Sequence, residues 1–412
     1  MRRAVVTGIG IVSPLGIGLS GFWRGLRDGV CGIGRPPPPL DGITGLVTAH
    51  IPEELAATIA EERGPLYDRA SLFGMAAAAE AMRDAGLEEQ APSPRMGVLL
   101  GHSGAPTAQH DAGYHRLFAQ GITRTDPATV PRVMINALAS HLGRRHGARG
   151  PVLTLAAACA SSAQALGEAL LMIRNGRLDV ALVGGSEAAL GEGNCRGWLA
   201  MRALAPDTCR PFSRDRKGTV LGEGACLMVI EEESRARARG VLPYAELCGY
   251  GLYADCEDLV RPSADGAAAT MAAALADADM PPEVIGSINA HGSGTPLNDV
   301  AETTAIHRVF GSHAPALAVS ATKSMHGHLL GAAGAMEAAA ALLPLVAGII
   351  PPTINSLGRD PQCDLDYTTG GAARRTVEAV LSNSFAFGGV NAALVFRRVG
   401  DGRMAPASQV SS

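Results

Sequence analysis

Pro151–Gly176, PVLTLAAACASSAQALGEALLMIRNG, decides how the rest of the chain is read. The apolar run from Val152 to Leu155 predicts a buried strand. Beyond Ala-Ala-Ala-Cys, Leu166, Leu170, Leu171 and Ile173 recur near helical spacing, and Arg174-Asn175-Gly176 marks a C-terminal stop. Cys159 then stands where a strand hands over to a helix N-terminus. Unpaired N–H groups and the positive end of the helix dipole favour a thiolate there. A cysteine among alanines is by itself more often an inert core residue. What raises Cys159 above that is its company elsewhere in the chain.

The stretch has an echo beginning at Leu317, LAVSATKSMHGHLLGAAGAMEAAAAL, again a buried strand, a small-residue turn and a long alanine-rich helix. Around the first copy, short apolar strands are predicted at Arg3–Gly8, Met96–Gly101, Asp179–Ser186 and Ala225–Glu232, with a helix over Leu72–Ala85. From Pro243 the pattern restarts. Strands over Tyr244–Leu252, Ile285–Ala290, Ala316–Ala321, Val380–Ser384 and Asn391–Arg397 alternate with helices over Ala267–Ala278, Ala301–Phe310 and Leu329–Ala347. The expected organisation is a first half over 1–242, a second over 243–398 and a disordered tail over 399–412. Strands alternating with helices make this an α/β protein with sheets buried on both faces.

Composition narrows the class. At 412 residues, with 47% hydrophobic, 18% charged and 4% aromatic residues, the chain suits close-packed helices over sheets rather than disorder. A net charge of −4 gives no general pull toward nucleic acid or an anionic membrane, so neither is an expected partner. Eight cysteines without a CxxC pair fit neither a zinc site nor a compact disulfide framework, which points to a reducing cytoplasm. The apolar stretch Ala332–Ile350 carries Glu337 and Pro344 and reads as a buried helix rather than a membrane span.

Five further fragments stand out from ordinary core. Asn289-Ala290-His291-Gly292-Ser293-Gly294-Thr295 places a histidine at a strand end, with glycines that leave room for close approach. Ser320-Ala321-Thr322-Lys323-Ser324-Met325-His326-Gly327-His328 sets a lysine and two histidines between an apolar strand and an apolar helix. Buried lysine needs a partner, and Glu337, the one charge in that helix, is the candidate. Ser382–Asn391 is a strand breaking into Phe385-Ala386-Phe387-Gly388-Gly389. Arg210–Asp215 with Gly222-Glu223-Gly224 forms a polar loop.

Together, in this order and at these spacings, the fragments resemble the elongating β-ketoacyl synthases, the fatty-acid and type II polyketide ketosynthases, over Arg3 to Arg398. The resemblance implies the thiolase fold, two βαβ-rich halves stacked as a five-layer αβαβα sandwich, and a decarboxylative Claisen condensation. In that reaction an acyl chain moves from a carrier-protein thioester onto the enzyme, and a malonyl thioester loses CO₂ and attacks it. Cys159 matches the nucleophile, His291 and His328 the imidazole pair that stabilises the enolate, and Lys323 with Glu337 the electrostatic support. Ser293 and Thr295 match hydroxyls that hold the pantetheine arm; the family more often has Thr at the first. Phe387 matches the gating phenylalanine, Gly388 and Gly389 its hinge, and the backbone N–H groups of Cys159 and Phe387 the oxyanion hole. Ala386, where the fatty-acid enzymes usually have Gly, is expected to stiffen the gate.

Gly104 and Ala105 align with the loop that blocks the acyl tunnel, and their small size implies room for a medium or long chain. The partner is an acidic acyl carrier protein, with Arg69, Arg124 and Arg132 as candidates for the basic patch that meets it. A homodimer, or a heterodimer with a chain-length-factor-like subunit, is implied. No cofactor is expected beyond the carrier's 4′-phosphopantetheine.

The rivals each miss a feature. A non-catalytic chain-length factor lacks the cysteine, degradative thiolases use a second cysteine as base, and the priming ketosynthases carry Asn where His328 stands. A Cys-His hydrolase needs water access rather than a gated tunnel. His326, where fatty-acid members often have Thr, tilts the expectation toward a polyketide or polyene route over housekeeping fatty-acid elongation.

Overall fold

A computed structural model describes residues 2–59, 64–104 and 106–400. The tail beyond 400 and Ala105, both singled out above, lie outside the described residues. The first half supplies strands β1 (Ala4–Ser13), β2 (Met96–Gly101), β3 (Val152–Leu155), β4 (Val180–Glu187) and β5 (Gly224–Glu232). The second supplies β6 (Ala245–Ala254), β7 (Ile285–Asn289), β8 (Ala318–Ser320), β9 (Ala379–Ser384) and β10 (Val390–Arg397). With Gly16–Ile17, a short strand that pairs with β1, they form among the described residues one 11-stranded sheet in the order β3-β2-β4-β5-β1-β6-β10-β9-β7-β8.

The duplication is explicit in that order. Numbered from its own start, each half runs third, second, fourth, fifth, first, with the first three of these parallel and the last two antiparallel additions. The halves join through a short antiparallel ladder, Ala4↔Leu247 to Val6↔Ala245.

Helices fill the space between and outside the halves. On one outer face lie α1 (Arg69–Asp84) and α2 (Ala137–Arg145), whose alanines and leucines share an apolar cluster with β2, β4 and β5. In the middle, α3 (Ser161–Arg174) packs against α8 (Ala333–Ala347), buried almost throughout among Ala, Leu and Met. On the other outer face lie α5 (Ala264–Asp277) and α6 (Pro296–Phe310). Between α3 and α5 the chain adds α4 (Glu192–Ala200), and ahead of α8 a short α7 (Lys323–His326). The two halves of that sheet pack against the middle helices α3 and α8, whose alanine-rich faces let the layers approach closely. At Gly334 the approach excludes any side chain, since a Cβ there would lie 2.6 Å from the backbone N of Ala163. That contact brings the N-termini of α3 and α8 together. The stretch Leu330–Ala347 is long and apolar enough to cross a membrane, but 89% of it is buried inside the protein.

One expectation is corrected. β3 is not buried: it is the edge strand of its half, and Val152 and Leu153 are 38% and 42% exposed. An apolar run does not reveal whether its second neighbour in the sheet exists within the same chain.

Candidate active site

The nucleophile candidate sits in a short 3-10 turn, Ala158–Ala160, ahead of α3. Ala158 has φ +46°, a left-handed conformation that a non-glycine residue holds only under constraint from its surroundings. The second half repeats the device: Leu330, also at φ +46°, opens the 3-10 turn Leu330–Ala332 ahead of α8. Cys159 and the segment around His328 therefore come from corresponding corners of the two halves.

Four elements converge on one cavity, lined by Cys159, His291, His328, Ser293, Thr295 and Phe387. His328 Nε2 lies 2.9 Å from Cys159 Sγ, and its Nδ1 accepts from the Leu330 N–H at 3.3 Å. That acceptor role places the proton on Nε2, facing the sulfur. His291, at the end of β7, shows the same logic. Lys323 Nζ lies 3.3 Å from His291 Nδ1 and donates to the His291 backbone carbonyl at 2.5 Å, leaving Nε2 as the N–H face. The two rings meet edge-on, centroids 5.6 Å apart at 84°. Burial, and then the charge of Lys323, hold both imidazoles well below the ordinary histidine range, so both are neutral donors.

Lys323 is fully buried and paired with Glu337 of α8 at 2.5 Å. Removing one member of such a pair costs about 3–5 kcal/mol. Burial pushes the Glu337 carboxyl up to about 7 against the pull of Lys323. Ser293 Oγ and Thr295 Oγ1 lie 2.9 Å apart on the cavity wall.

The sulfur departs from expectation. Cys159 precedes the first turn of α3 and is buried, on the wall of the cavity. Burial pushes its thiol up to about 12, despite Lys323 and the N–H groups of Cys159 and Phe387 that reach the sulfur. Burial thus opposes the thiolate that the helix terminus by itself would favour.

Several residues that hold the site are not legible in the sequence. Glu302 of α6 accepts the backbone N–H groups of His291 and Gly292, each at 2.8 Å, and the Asn383 side chain at 3.1 Å. Asp299, one turn earlier, accepts from Gly294 and Phe212. Burial raises these carboxyls to about 7 and about 6. The signal available was their three-residue spacing on one helix face immediately after the glycine turn. The loop after β6 covers the cavity mouth: Gly388 N–H donates to the Leu259 carbonyl at 2.8 Å, and Asn391 Nδ2 to Asp255 at 3.1 Å. Trp198 of α4 stacks on Phe387. His102 faces Glu187 at 3.1 Å, and Glu187 also accepts the Ser103 and Gly331 N–H groups, tying the ends of β2 and β4 to the turn after His328.

Other expectations do not meet at the cavity. Gly104 is absent from its wall, and the space beside its Cα is open. Arg69 is an internal clamp rather than a free patch: its guanidinium binds Glu223, Glu53 and the Ile51 carbonyl and lies over the Phe73 ring. Arg132 is paired with Asp126 at 2.5 Å. Arg124 is exposed, but the basic side chain on the cavity rim is Arg261.

Comparison with known proteins identifies the family. Residues 1–236 match the β-ketoacyl synthase N-terminal domain and residues 244–356 the β-ketoacyl synthase C-terminal domain. Nodulation protein E of Rhizobium sp. (strain N33) is 44% identical over 400 residues, covering 97% of this chain and 100% of that protein. The 3-oxoacyl-[acyl-carrier-protein] synthase 2 of Coxiella burnetii is 36% identical over 418 residues, covering 97% and 99%. Among solved structures, the ishigamide ketosynthase/chain length factor superposes with a TM-score of 0.92 at 34% identity, covering 97% of this chain and 100% of that one. A type II PKS acyl-carrier protein in complex with its ketosynthase bound to the hexaketide gives 0.86 at 30% identity, covering 97% and 99%.

Proposed function

The chain belongs to the β-ketoacyl synthase family and has its thiolase fold, and from that premise we propose that it is an elongating ketosynthase of a specialised, polyketide-type route. The observation that carries the reaction is that Cys159, with His328 Nε2 at its sulfur, shares one cavity with His291, whose Nδ1 is turned to Lys323. In the first step the Cys159 sulfur attacks an acyl thioester on a carrier protein. The carrier thiol leaves with the proton that Cys159 gives up, and the N–H groups of Cys159 and Phe387 receive the oxyanion. In the second, the malonyl C–C bond breaks, CO₂ departs and the electron pair passes to the α carbon. His291 and His328 donate to the resulting enolate oxygen. The carbanion attacks the acyl carbon, the C–S bond breaks, and the Cys159 thiolate takes up one proton. The products are a 3-oxoacyl thioester on the malonyl carrier and CO₂. On this reading Ser293 and Thr295 hold the pantetheine arm, and side chains with the substrates' own pantetheine carry the chemistry without a further cofactor.

The carrier is acidic, and Arg261 at the cavity rim is the cation placed to meet it. Support for the route comes from His326, buried and bonded to Thr322 Oγ1 at 3.0 Å, and from the structural likeness to the ishigamide ketosynthase/chain length factor and to a type II PKS ketosynthase. Incubation with octanoyl and malonyl carrier proteins tests the reaction. Condensed product and CO₂ are expected in equal amounts. Octanoic acid released without CO₂ would instead identify a hydrolase.

We infer that the edge strand β3 pairs with a second ketosynthase-fold subunit, a copy of this chain or a chain-length-factor-like partner. Val152, Leu153, Met134 and Ile135 are apolar and 38–42% exposed, a surface that monomers rarely leave uncovered. Leu153→Lys is expected to convert the dimer to monomers in sedimentation velocity. A wild-type chain that stays monomeric alone and beside a co-expressed partner would refute this.

A further inference from the structure

Resting on the ketosynthase reading, we propose that Trp198 is the stationary half of a two-ring gate over Cys159, and that its stacking on Phe387 sets how often the unacylated site opens. The rings lie 5.7 Å apart at 20°, and both line the cavity that holds Cys159. Their supports are unlike. Phe387 is 37% exposed and is followed by Gly388 and Gly389 at φ +84° and +68°, so its movement needs no side chain to swing past a neighbour, only release of the Gly388 N–H from the Leu259 carbonyl and of the Asp255 N–H from the Gly389 carbonyl. Trp198 rides on α4, whose start is fastened from neighbouring elements. Gly191 N–H donates to Thr107 Oγ1 at 3.2 Å, Gly193 N–H to Asp111 Oδ2 at 3.0 Å, and Cys195 on the same helix is fully buried. When the gate opens, Phe387 is therefore the ring that moves, and Trp198 presents its freed face to the incoming thioester.

An offset aromatic stack shifts a two-state equilibrium by about 2- to 12-fold. Trp198→Ala removes it, so the gate opens more often before Cys159 is acylated. Malonyl-pantetheine decarboxylation without condensation is expected to rise by about that factor relative to condensation, and Trp198→Phe, which keeps a ring, is expected to restore the partition. A general loss of packing would lower both rates together.

Fluorescence tests the stack without any substrate. The chain has two tryptophans, so in a Trp23→Phe background the emission reports Trp198 alone. Phe387→Ala is expected to shift that emission, and octanoylation of Cys159 by octanoyl-pantetheine to shift it the same way. Emission indifferent to Phe387→Ala, or an unchanged partition in Trp198→Ala, overturns the proposal. Failure of Cys159 to acylate would overturn the ketosynthase reading instead, and the substrate-free comparison would still decide whether the rings are coupled.

Discussion

Cys159→Ala is expected to abolish acyl loading, with condensation falling to background while the fold is kept. The buried sulfur is the one nucleophile in the cavity wall that His328 Nε2 and the N–H groups of Cys159 and Phe387 all reach. Alanine removes the atom that forms the thioester and adds no charge or bulk. Burial pushes the thiol up to about 12, and Lys323 and the N–H groups at the sulfur act against that rise. Cys159→Gln separates the two half-reactions. It places a carbonyl near the position of an acylated cysteine, so malonyl decarboxylation is expected to continue without a condensed product. Carbon dioxide release measured beside product formation checks this.

His291→Ala and His328→Ala each remove one donor from the enolate, and each is expected to lower condensation by ~10²–10³. The double variant should fall short of the product of the two, because both rings serve one oxygen. The two differ in the first step. His291 lies 5.6 Å from the His328 ring, and its N–H is aimed into the cavity without touching the sulfur. Its loss should leave acyl loading near the wild-type rate, whereas loss of His328, 2.9 Å from Sγ, should slow loading as well. Single-turnover acylation of each variant, compared with steady-state condensation, measures the split.

The residues that touch the reacting atoms were legible because each breaks the rules of its surroundings. Lys323 and Glu337 are charges inside apolar runs, His291 ends a strand in a glycine turn, and Cys159 sits at a strand-to-helix corner. Their supports were not, since each obeys local rules. Glu302 and Asp299 look like the wet face of a helix until the fold turns that face toward the backbone of residues 291–294. Arg69 looks like a surface cation, yet it is drawn inward by Glu223, a carboxylate 154 positions away in sequence. Asp255, Leu259 and Trp198 meet the Phe387 loop only through tertiary contact. The error over β3 has the same origin: Val152 and Leu153 are patterned for burial, and the chain alone does not supply what covers them.

The most direct measurement is the mass of the Cys159 peptide, taken first after incubation with octanoyl carrier protein and again after malonyl carrier protein is added. The account predicts that the octanoyl mass appears on Cys159, is absent from Cys159→Ala, and is discharged as a 3-oxodecanoyl carrier forms with loss of CO₂. An octanoyl mass on another residue, or its discharge as free octanoate with no new carbon–carbon bond, would contradict it.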